Sequence, residues 1–243
     1  MNVNWSIERY DEVHSTQDEL KALALKGAGE GQVVTAKSQN GGRGRHGRVW
    51  VSEPGNLYFS LLLRPSCGLN AIGQLALIVG ASIGAAIKEL VLEPDDVSLK
   101  WPNDVFLGGK KCAGILIETE LDSNNIIDWV AVGIGVNIVR APKEIGAALS
   151  DYALSDIKIE DVQQSILNEI EDRYLQWGAE GFAAIKAEWL SMAHPVGTPI
   201  TVGAGKHMAR GTFHDIDSHG SLILRDDEGQ VRTLSAGDVH IQE

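Results

Sequence analysis

The chain has 243 residues, of which 44% are hydrophobic and 22% are charged. This length suits one large domain, or a main domain with a small one attached, and the apolar fraction is enough for a sizeable core. The formal net charge is −12 at pH 7, so the surface as a whole repels nucleic acids and anionic membranes. Composition therefore excludes a general polycation and favours a globular protein.

The cysteines and the apolar segments bear on the cellular compartment. Cys67 and Cys112 have no metal-ligand spacing, and we interpret both as buried free thiols. The N-terminus lacks the basic and apolar regions of a secretory signal. The apolar stretch 71–92 is interrupted by Gln74, Lys88 and several small residues, which favours a buried helix over a membrane span. These features predict a cytoplasmic protein.

The first elements along the chain are a helix and two strands. Segment 14–27 predicts a helix whose N-cap is Ser15 or Thr16, with acidic residues in its first turn. Runs of β-branched and aliphatic residues then predict strands over 31–39 and 56–65. The apolar helix described above follows the second strand.

The middle of the chain predicts more strands and then helices. Two apolar runs, 97–121 and 126–139, read as strands, and the dipeptide Gly108-Gly109 inside the first is typical of a two-residue hairpin turn. After them, apolar residues at helical spacing predict two helices within 159–193.

From about Pro195 the pattern changes to about five short alternating strands with Gly and Asp turns, which is typical of a small barrel. The predicted fold class is therefore α+β. Residues 1–193 form a mixed β-sheet backed by helices, and residues 194–243 form a small SH3-like β-barrel domain.

Residues 38–50, "SQNGGRGRHGRVW", place three arginines among glycines without an acidic residue. Such a loop is often only solvated surface. Here it follows a strand directly and sets bare backbone N–H groups beside guanidinium groups, which suits phosphate. It lacks the Gly-Lys-Ser/Thr ending of a P-loop and the helix of a Rossmann turn. RNA is the competing ligand, but one short basic tract on an acidic chain favours a phosphorylated small molecule, ATP foremost.

Two lysines and three glycines indicate where such a ligand lies. Lys100 ends an apolar strand, where a lysine is costly without an anionic partner. Lys111 begins a later strand and by itself reads equally as a solvated strand end. Glycine weakens a strand interior, so Gly114, Gly133 and Gly135 mark either β-bulges or the close approach of another group. A flat ligand on the sheet would explain all three glycines and give Lys111 an anion.

The motifs "GRGRHGRVW", "KWPND", "KCAGILIE" and "VGIGVN", in this order and preceded by "STQ", resemble those of the biotin protein ligases over essentially the whole chain. Gln17 stands where that family usually has Asn. Because the chain begins almost at the catalytic domain, the resemblance implies the monofunctional type without a DNA-binding domain. It also implies the catalytic fold shared by biotin and lipoate ligases.

The resemblance implies a two-step reaction with ATP and Mg²⁺. Biotin and ATP form biotinyl-5′-AMP and pyrophosphate, and a lysine of a biotin carboxyl carrier protein then takes the biotinyl group. The enzyme would be a monomer or weak homodimer with no nucleic-acid or membrane partner. Two alternatives are a lipoate or octanoate ligase of the same fold, which lacks this glycine–arginine loop, and a biotin sensor that does not transfer.

The resemblance also implies roles for individual residues, with Lys111 bridging the biotin carboxylate and the α-phosphate. The implied catalytic residues are Lys111, Arg45 and Lys100. The implied biotin-binding residues are Ser15, Thr16, Gln17, Gln39, Arg43, Gly44, Arg45, Lys111 and Gly114. The implied ATP-binding residues are Arg45, Arg48, Trp50, Lys100, Asn103, Asp104 and Asn137. The metal ligand is unknown; Asp104 is a candidate for the Mg²⁺ that accompanies ATP, or it steers the incoming carrier lysine.

Overall fold

The computed structural model describes residues 2–124, 126–203, 208–226 and 228–241. The helices are α1 (Thr16–Leu25), α2 (Ile72–Lys88), α3 (Ile159–Glu180) and α4 (Ala183–Met192). The strands of the larger sheet are β1 (Ser6–Val13), β2 (Gln32–Gln39), β3 (Leu57–Leu63), β4 (Val97–Lys100), β5 (Asp104–Leu107), β6 (Lys110–Leu121) and β7 (Ile127–Val136). The strands of the C-terminal sheet are β8 (Pro199–Val202), β9 (Ala209–Ile216), β10 (Leu222–Arg225), β11 (Val231–Leu234) and β12 (Val239–Ile241).

The larger sheet has seven strands in the order β1-β2-β3-β7-β6-β5-β4. The β1–β2 pair is parallel and the other pairs are antiparallel, so the predicted mixed sheet and α+β class are confirmed. The Gly108-Gly109 hairpin is also confirmed, since both glycines have positive φ between β5 and β6. Sequence patterning missed β1, because this edge strand carries charged residues along most of its length and buries little.

The two faces of the sheet are covered by different helices, and alternation along β3 shows which side chain points where. Phe59, Leu61 and Leu63 join the large core that contains the apolar residues of α2, α3 and α4. Leu62, between them, packs with Leu20 of α1. Helix α1 therefore covers one face of the central strands and α2 the other.

Helix α2 is apolar almost throughout because it lies between the sheet and the helices α3 and α4. The stretch 69–88 is the one described helical segment long and apolar enough to cross a membrane, and 61% of an 18-residue apolar window within it is buried inside the protein. The prediction of a buried helix is confirmed.

The predicted series of about five short strands is confirmed by the C-terminal sheet, whose strand order is β11-β10-β9-β8-β12. Its apolar face continues the core of the larger sheet through Trp101. The Trp101 indole Nε1 donates a hydrogen bond to the Gly220 carbonyl at 2.9 Å. Gly220 also lies against Gly73 at the start of α2, where a Cβ on Gly220 would stand 2.7 Å from the Gly73 backbone. The two sheets thus meet through close backbone contact.

Candidate active site

On the face covered by α1, strand β7 has small residues and forms the base of the site. Its sequence alternates large residues, which enter the main core, with Ala131, Gly133 and Gly135 on the opposite face. A Cβ on Gly133 would stand 2.7 Å from Gln17 Oε1, and one on Gly135 would stand 2.5 Å from Trp50 Nε1. Side chains from α1 and the loop lie directly on the strand, so a side chain at either glycine would displace them.

This arrangement changes the explanation expected for the glycines. The flat group that covers Gly135 and Gly114 is the Trp50 ring, and Gln17 covers Gly133. The sequence left two explanations open at these positions, β-bulges or the close approach of another group, and named a flat ligand for the second; in the structure the approaching groups are protein side chains. A ligand that enters the site therefore meets Trp50 and Gln17 before it meets the sheet.

A buried network of uncharged polar groups surrounds the N-terminus of α1. Ser15 is the N-cap residue by backbone conformation, but its side chain makes no capping hydrogen bond. Instead the Thr16 backbone N–H donates to Gln39 Oε1 at 2.9 Å, and the Thr16 hydroxyl lies 2.9 Å from the Ser60 hydroxyl. Gln39 Nε2 in turn donates to the Ser52 hydroxyl at 2.9 Å. These bonds join α1, β2, β3 and the end of the glycine–arginine loop.

Gln17 leaves one polar atom of this network without a partner. Its Nε2 donates to the Ala131 carbonyl at 3.0 Å, whereas its Oε1 is buried with no hydrogen-bond partner among the described residues. The Trp50 indole Nε1 is likewise buried without a hydrogen-bond partner among the described residues. Buried polar groups are normally satisfied, so these two atoms indicate a site that a polar ligand completes.

The glycine–arginine loop (residues 38–50) folds back on itself as a short hairpin. The Trp50 N–H donates to the Gly42 carbonyl at 2.9 Å, and the Gly44 N–H donates to the Arg48 carbonyl at 2.7 Å. At the tip, His46 adopts a positive φ of 56°. The loop thereby places its final residue, Trp50, onto the sheet.

Each arginine of the loop reaches a protein group. Arg43 makes a bidentate ion pair with Asp18 of α1. Arg48 Nη2 lies 2.8 Å from the nearer carboxylate oxygen of Asp238, in the connection between β11 and β12. Arg45 Nη1 donates to Asn103 Oδ1 and to the Gly237 carbonyl of the same connection, both at 3.2 Å. The sequence predicted that the arginines meet anions, and two of those anions belong to the protein.

A β-bulge places Lys111 on the site face. The β5–β6 register pairs Val105 with Ala113 but Phe106 with Lys111, so Cys112 is the extra residue. Cys112 and Ala113 both lie in the main core. Without the bulge, alternation from Gly114 would direct Lys111 into that core. Instead its Nζ lies 2.6 Å from Asp104 Oδ1 and 5.2 Å from the centroid of the Trp50 ring.

Lys100 and Asn103 extend the charged side of the site. Lys100 pairs with Asp104 across the β4–β5 hairpin and lies with its Nζ 4.7 Å from the centroid of the Phe106 ring. Burial lowers the pKa of Lys100, against the raising effect of Asp104. Asn103 holds the turn by donating from Nδ2 to the Ile115 carbonyl at 2.7 Å.

Asn137 has a supporting place behind Lys111. Its side-chain Nδ2 donates to the Lys111 carbonyl at 3.3 Å, and its backbone N–H donates to the Cys112 carbonyl at 2.8 Å. Both cysteines are free thiols as predicted, but only Cys112 is buried, whereas Cys67 is partly exposed. Burial raises the pKa of Cys112 to about 12, so this thiol is inert at neutral pH.

Comparison with known proteins matches two parts of the chain to ligase families. Residues 11–137 match the Biotin/lipoate A/B protein ligase family, and residues 197–241 match the Biotin protein ligase C terminal domain. A biotin–[acetyl-CoA-carboxylase] ligase from Paracoccus denitrificans is 35% identical over 235 residues, which are 91% of this chain and 96% of that protein. The chain belongs to the biotin protein ligase family.

Two further proteins are similar to this chain over most of its length. The bifunctional ligase/repressor BirA of Bacillus subtilis is 35% identical over 96% of this chain and 73% of that protein. The solved biotin protein ligase of Aquifex aeolicus in complex with biotin and ATP superposes with a TM-score of 0.83 at 29% identity, and the match covers 98% of both chains. The resemblance stated from the motifs is therefore confirmed.

The structure also shows partners in this ligase-family site that sequence reasoning missed. Asp18 was interpreted only as an acidic residue in the first turn of a helix, and Asp238 only as part of a turn. Ser52 and Ser60 carried no signal at all. All four contact motif residues across long sequence separations, so only the fold brings them together.

Proposed function

We propose that the chain is an ATP-dependent biotin protein ligase that forms biotinyl-5′-AMP and then transfers biotin to a carrier lysine. The observation that carries the proposal is the position of Lys111. Its ammonium group lies beside Trp50 and Asp104 on the site face, and on the same face of β7 Trp50 covers Gly135 while Gln17 of the neutral network covers Gly133. A ligand with a neutral polar head and an anionic tail fits this arrangement, with its head at the neutral network and its tail at Lys111.

The neutral network supports biotin over lipoate or octanoate. The ureido ring of biotin has N–H donors and a carbonyl acceptor, and the unpartnered Gln17 Oε1 needs a donor. A dithiolane ring or an alkyl chain offers no such donor and would leave this atom unsatisfied, which costs about 1–3 kcal/mol. We assign Ser15, Thr16, Gln17 and Gln39 to the ureido end.

The charged groups support adenylate formation. The carboxylate of biotin and the α-phosphate of ATP repel each other, and the transition state adds charge at phosphorus. Cations fixed in a partly dry site cancel this repulsion without reorganising. We assign Lys111 to the bridge between carboxylate and α-phosphate, and Arg45 and Lys100 to the remaining phosphates. Burial lowers the pKa of Arg45 as well as that of Lys100, as expected of cations that lack a full counter-charge.

The loop and its neighbours complete the nucleotide end. We assign Arg48, Asn103 and Trp50 to ATP, with Trp50 beside the adenine. Gly44 and Gly114 are assigned to backbone contact with biotin and its adenylate, and Arg43 to the closing of the loop over them. Asn137 acts behind the site by holding the Lys111 strand.

Magnesium fits as an ion that arrives with ATP. Among the described residues there is no group of three or more His, Cys, Asp or Glu side chains that could hold a metal. Mg²⁺ typically needs only one or two protein carboxylates beside the phosphates. Asp104 would supply one, although its Oδ1 also holds Lys111. The ion would neutralise phosphate charge there.

We further propose a biotin carboxyl carrier protein as acceptor, a cytoplasmic location and a monomer or weak homodimer. The relatives named for acetyl-CoA carboxylase support the acceptor, and the free thiols support a reducing compartment. The division into a catalytic domain, 1–193, and a small C-terminal domain, 194–243, stays a prediction.

The test is ATP–pyrophosphate exchange with purified protein, Mg-ATP and labelled pyrophosphate, with biotin, lipoate or octanoate supplied in turn. We expect exchange with biotin alone, followed by transfer of label from biotin to an added carrier domain. Exchange with lipoate or octanoate would favour the related ligases. Tight biotin binding without exchange would favour a sensor.

A further inference from the structure

The first arginine of the loop points away from the nucleotide side of the site. Arg43 Nη1 lies 2.8 Å from Asp18 Oδ2, and Nη2 lies 2.5 Å from Oδ1. The side chains of Arg43 and Asp18 are only 34% and 39% exposed. This parallel two-bond arrangement is the strongest geometry for an arginine–carboxylate pair. Both Nη atoms of Arg43 are thereby occupied by the protein.

Asp18 follows directly on the residues that build the neutral network. It lies in the first turn of α1, where a carboxylate also interacts favourably with the helix dipole. The hydrogen bond from Arg43 holds the pKa of Asp18 below its ordinary value, although burial opposes the shift. The carboxylate is therefore ionised at neutral pH and in position to hold a cation.

Backbone contacts fix the same end of the loop against the same segment. The Gly41 N–H donates to the His14 carbonyl at 2.8 Å, and the Asn40 N–H donates to the Val13 carbonyl at 3.2 Å. A side chain at Gly41 would collide with the His14 ring. The beginning of the loop thus runs along residues 13–18 and is closed at the far end by the Arg43–Asp18 pair.

The other two arginines have a different environment. Arg45 and Arg48 contact Asn103 and the connection between β11 and β12, on the proposed nucleotide side. The loop therefore has one half that is attached to α1 and one half that is attached across the site. Only the second half has cations directed toward the proposed phosphates.

We propose that Asp18 is a positioning residue of this enzyme: through Arg43 it fixes the first half of the glycine–arginine loop to the N-terminus of α1. The loop then closes over a biotinyl-adenylate from a fixed base. The catalytic consequence rests on the proposed function, whereas the attachment of the loop does not. The competing explanation is an incidental partly exposed ion pair, which contributes little.

The attachment is tested by limited trypsin digestion of the ligand-free full chain. Cleavage rates after Arg45 and Arg48 are measured for the unsubstituted protein, Asp18→Asn, Arg43→Gln and the double variant. We expect each single variant to be cleaved about fivefold faster, and the double variant no faster than either single one, because all three lose the same contact. Asp11→Asn is the matched control, since it removes a carboxylate from a fully solvated ion pair with Lys37.

The controls separate this proposal from folding defects and from the proposed function. Arg43→Gln reports on the pair from the loop side, so the test does not depend on one variant folding, and thermal unfolding checks both. Cleavage of Asp18→Asn at the rate of the control, or additive effects in the double variant, would overturn the proposal. With biotin and ATP, we expect about fivefold faster loss of bound biotinyl-adenylate from Asp18→Asn, with adenylate formation changed less than twofold and Asp18→Glu restoring part of the retention. Absence of exchange in the unsubstituted chain would refute the function and leave the digestion result standing.

Discussion

The two halves of the active site differ in how they are built. The half that we assign to biotin is a buried network of hydroxyls and amides, in which Thr16 and Ser60 are 4% and 0% exposed and the partners are backbone groups or neutral side chains. The half that we assign to the nucleotide consists of cations on a loop and on two hairpins, each close to a carboxylate or an aromatic ring. In the proposed function, the neutral, dry network selects by shape and hydrogen bonding, whereas the charged half supplies the electrostatic stabilisation.

The largest expected effect comes from the charged half. Lys111→Ala should lower adenylate formation by about 10²-fold or more, since it removes a preorganised cation from the position where charge develops. Biotin-dependent pyrophosphate exchange measures this rate. Lys37→Ala, which removes an exposed lysine paired with Asp11, is the control and should have no effect. A Lys111→Ala rate within about threefold of the unsubstituted enzyme would contradict the assigned role.

The neutral half should respond in affinity and stability. Thr16→Val keeps the shape of the side chain but removes the hydroxyl that lies 2.9 Å from Ser60 Oγ. We expect the KM for biotin to rise about tenfold with the KM for ATP nearly unchanged, and the free energy of unfolding to fall by about 1–3 kcal/mol because Ser60 stays buried without its partner. Steady-state kinetics and urea unfolding measure these changes. An equal rise in both KM values would break the distinction between the halves.

A smaller effect is expected at the contact between the glycine–arginine loop and the connection between β11 and β12. Asp238→Asn removes the charge that holds Arg48. Burial alone would raise the pKa of Asp238, but the hydrogen bonds from Arg48 and the charges of Arg48 and Arg45 keep this pKa below its ordinary value. We expect the KM for ATP to rise about fivefold and the KM for biotin to change less than twofold. Glu53→Gln, in an exposed ion pair with Arg140, is the control. An unchanged KM for ATP would mean that this contact does not position Arg48 for the nucleotide.

The smallest effect concerns pH. Burial lowers the pKa of Lys100, so this lysine loses its proton at lower pH than a solvated lysine does. Because the proposed role needs the cation, kcat/KM for ATP should fall as pH rises toward that lowered pKa. Lys100→Arg keeps its charge over the whole range, so its alkaline fall should move to higher pH, and at the alkaline end it should retain a larger share of its neutral-pH kcat/KM than the unsubstituted enzyme. If the alkaline sides of the two pH–rate profiles coincided, Lys100 would not have this role.

Local signals in the sequence were enough for much of the fold. The alternation and apolar runs predicted β3, α2 and the Gly108-Gly109 hairpin because these elements are determined by residues near one another. Strand β1 was missed because an edge strand needs few apolar residues, and its charged side chains give no contrast between two faces.

The sequence motifs supplied the candidate residues of the site, whose roles stay predictions, but not the contacts among them. The motifs brought Lys111, Arg45 and Thr16 to attention, but the bulge at Cys112 that turns Lys111 toward the site has no marker in the sequence. The pairing of Arg43 with Asp18 depends on how a loop lies over a helix 25 residues earlier. Contacts of this kind are set by the packing of the whole fold, so sequence patterns alone do not supply them.

The contact between Trp101 and Gly220 has a consequence for experiments that shorten the protein. A fragment that stops near residue 193 would lose the carbonyl that accepts the buried indole hydrogen bond and would expose the apolar residues that now meet Ile200 and Phe213. Such a fragment would be prone to aggregate, so a loss of activity would reflect its poor solubility and not the role of the missing residues. The contribution of the last fifty residues is better measured by single replacements in the intact chain.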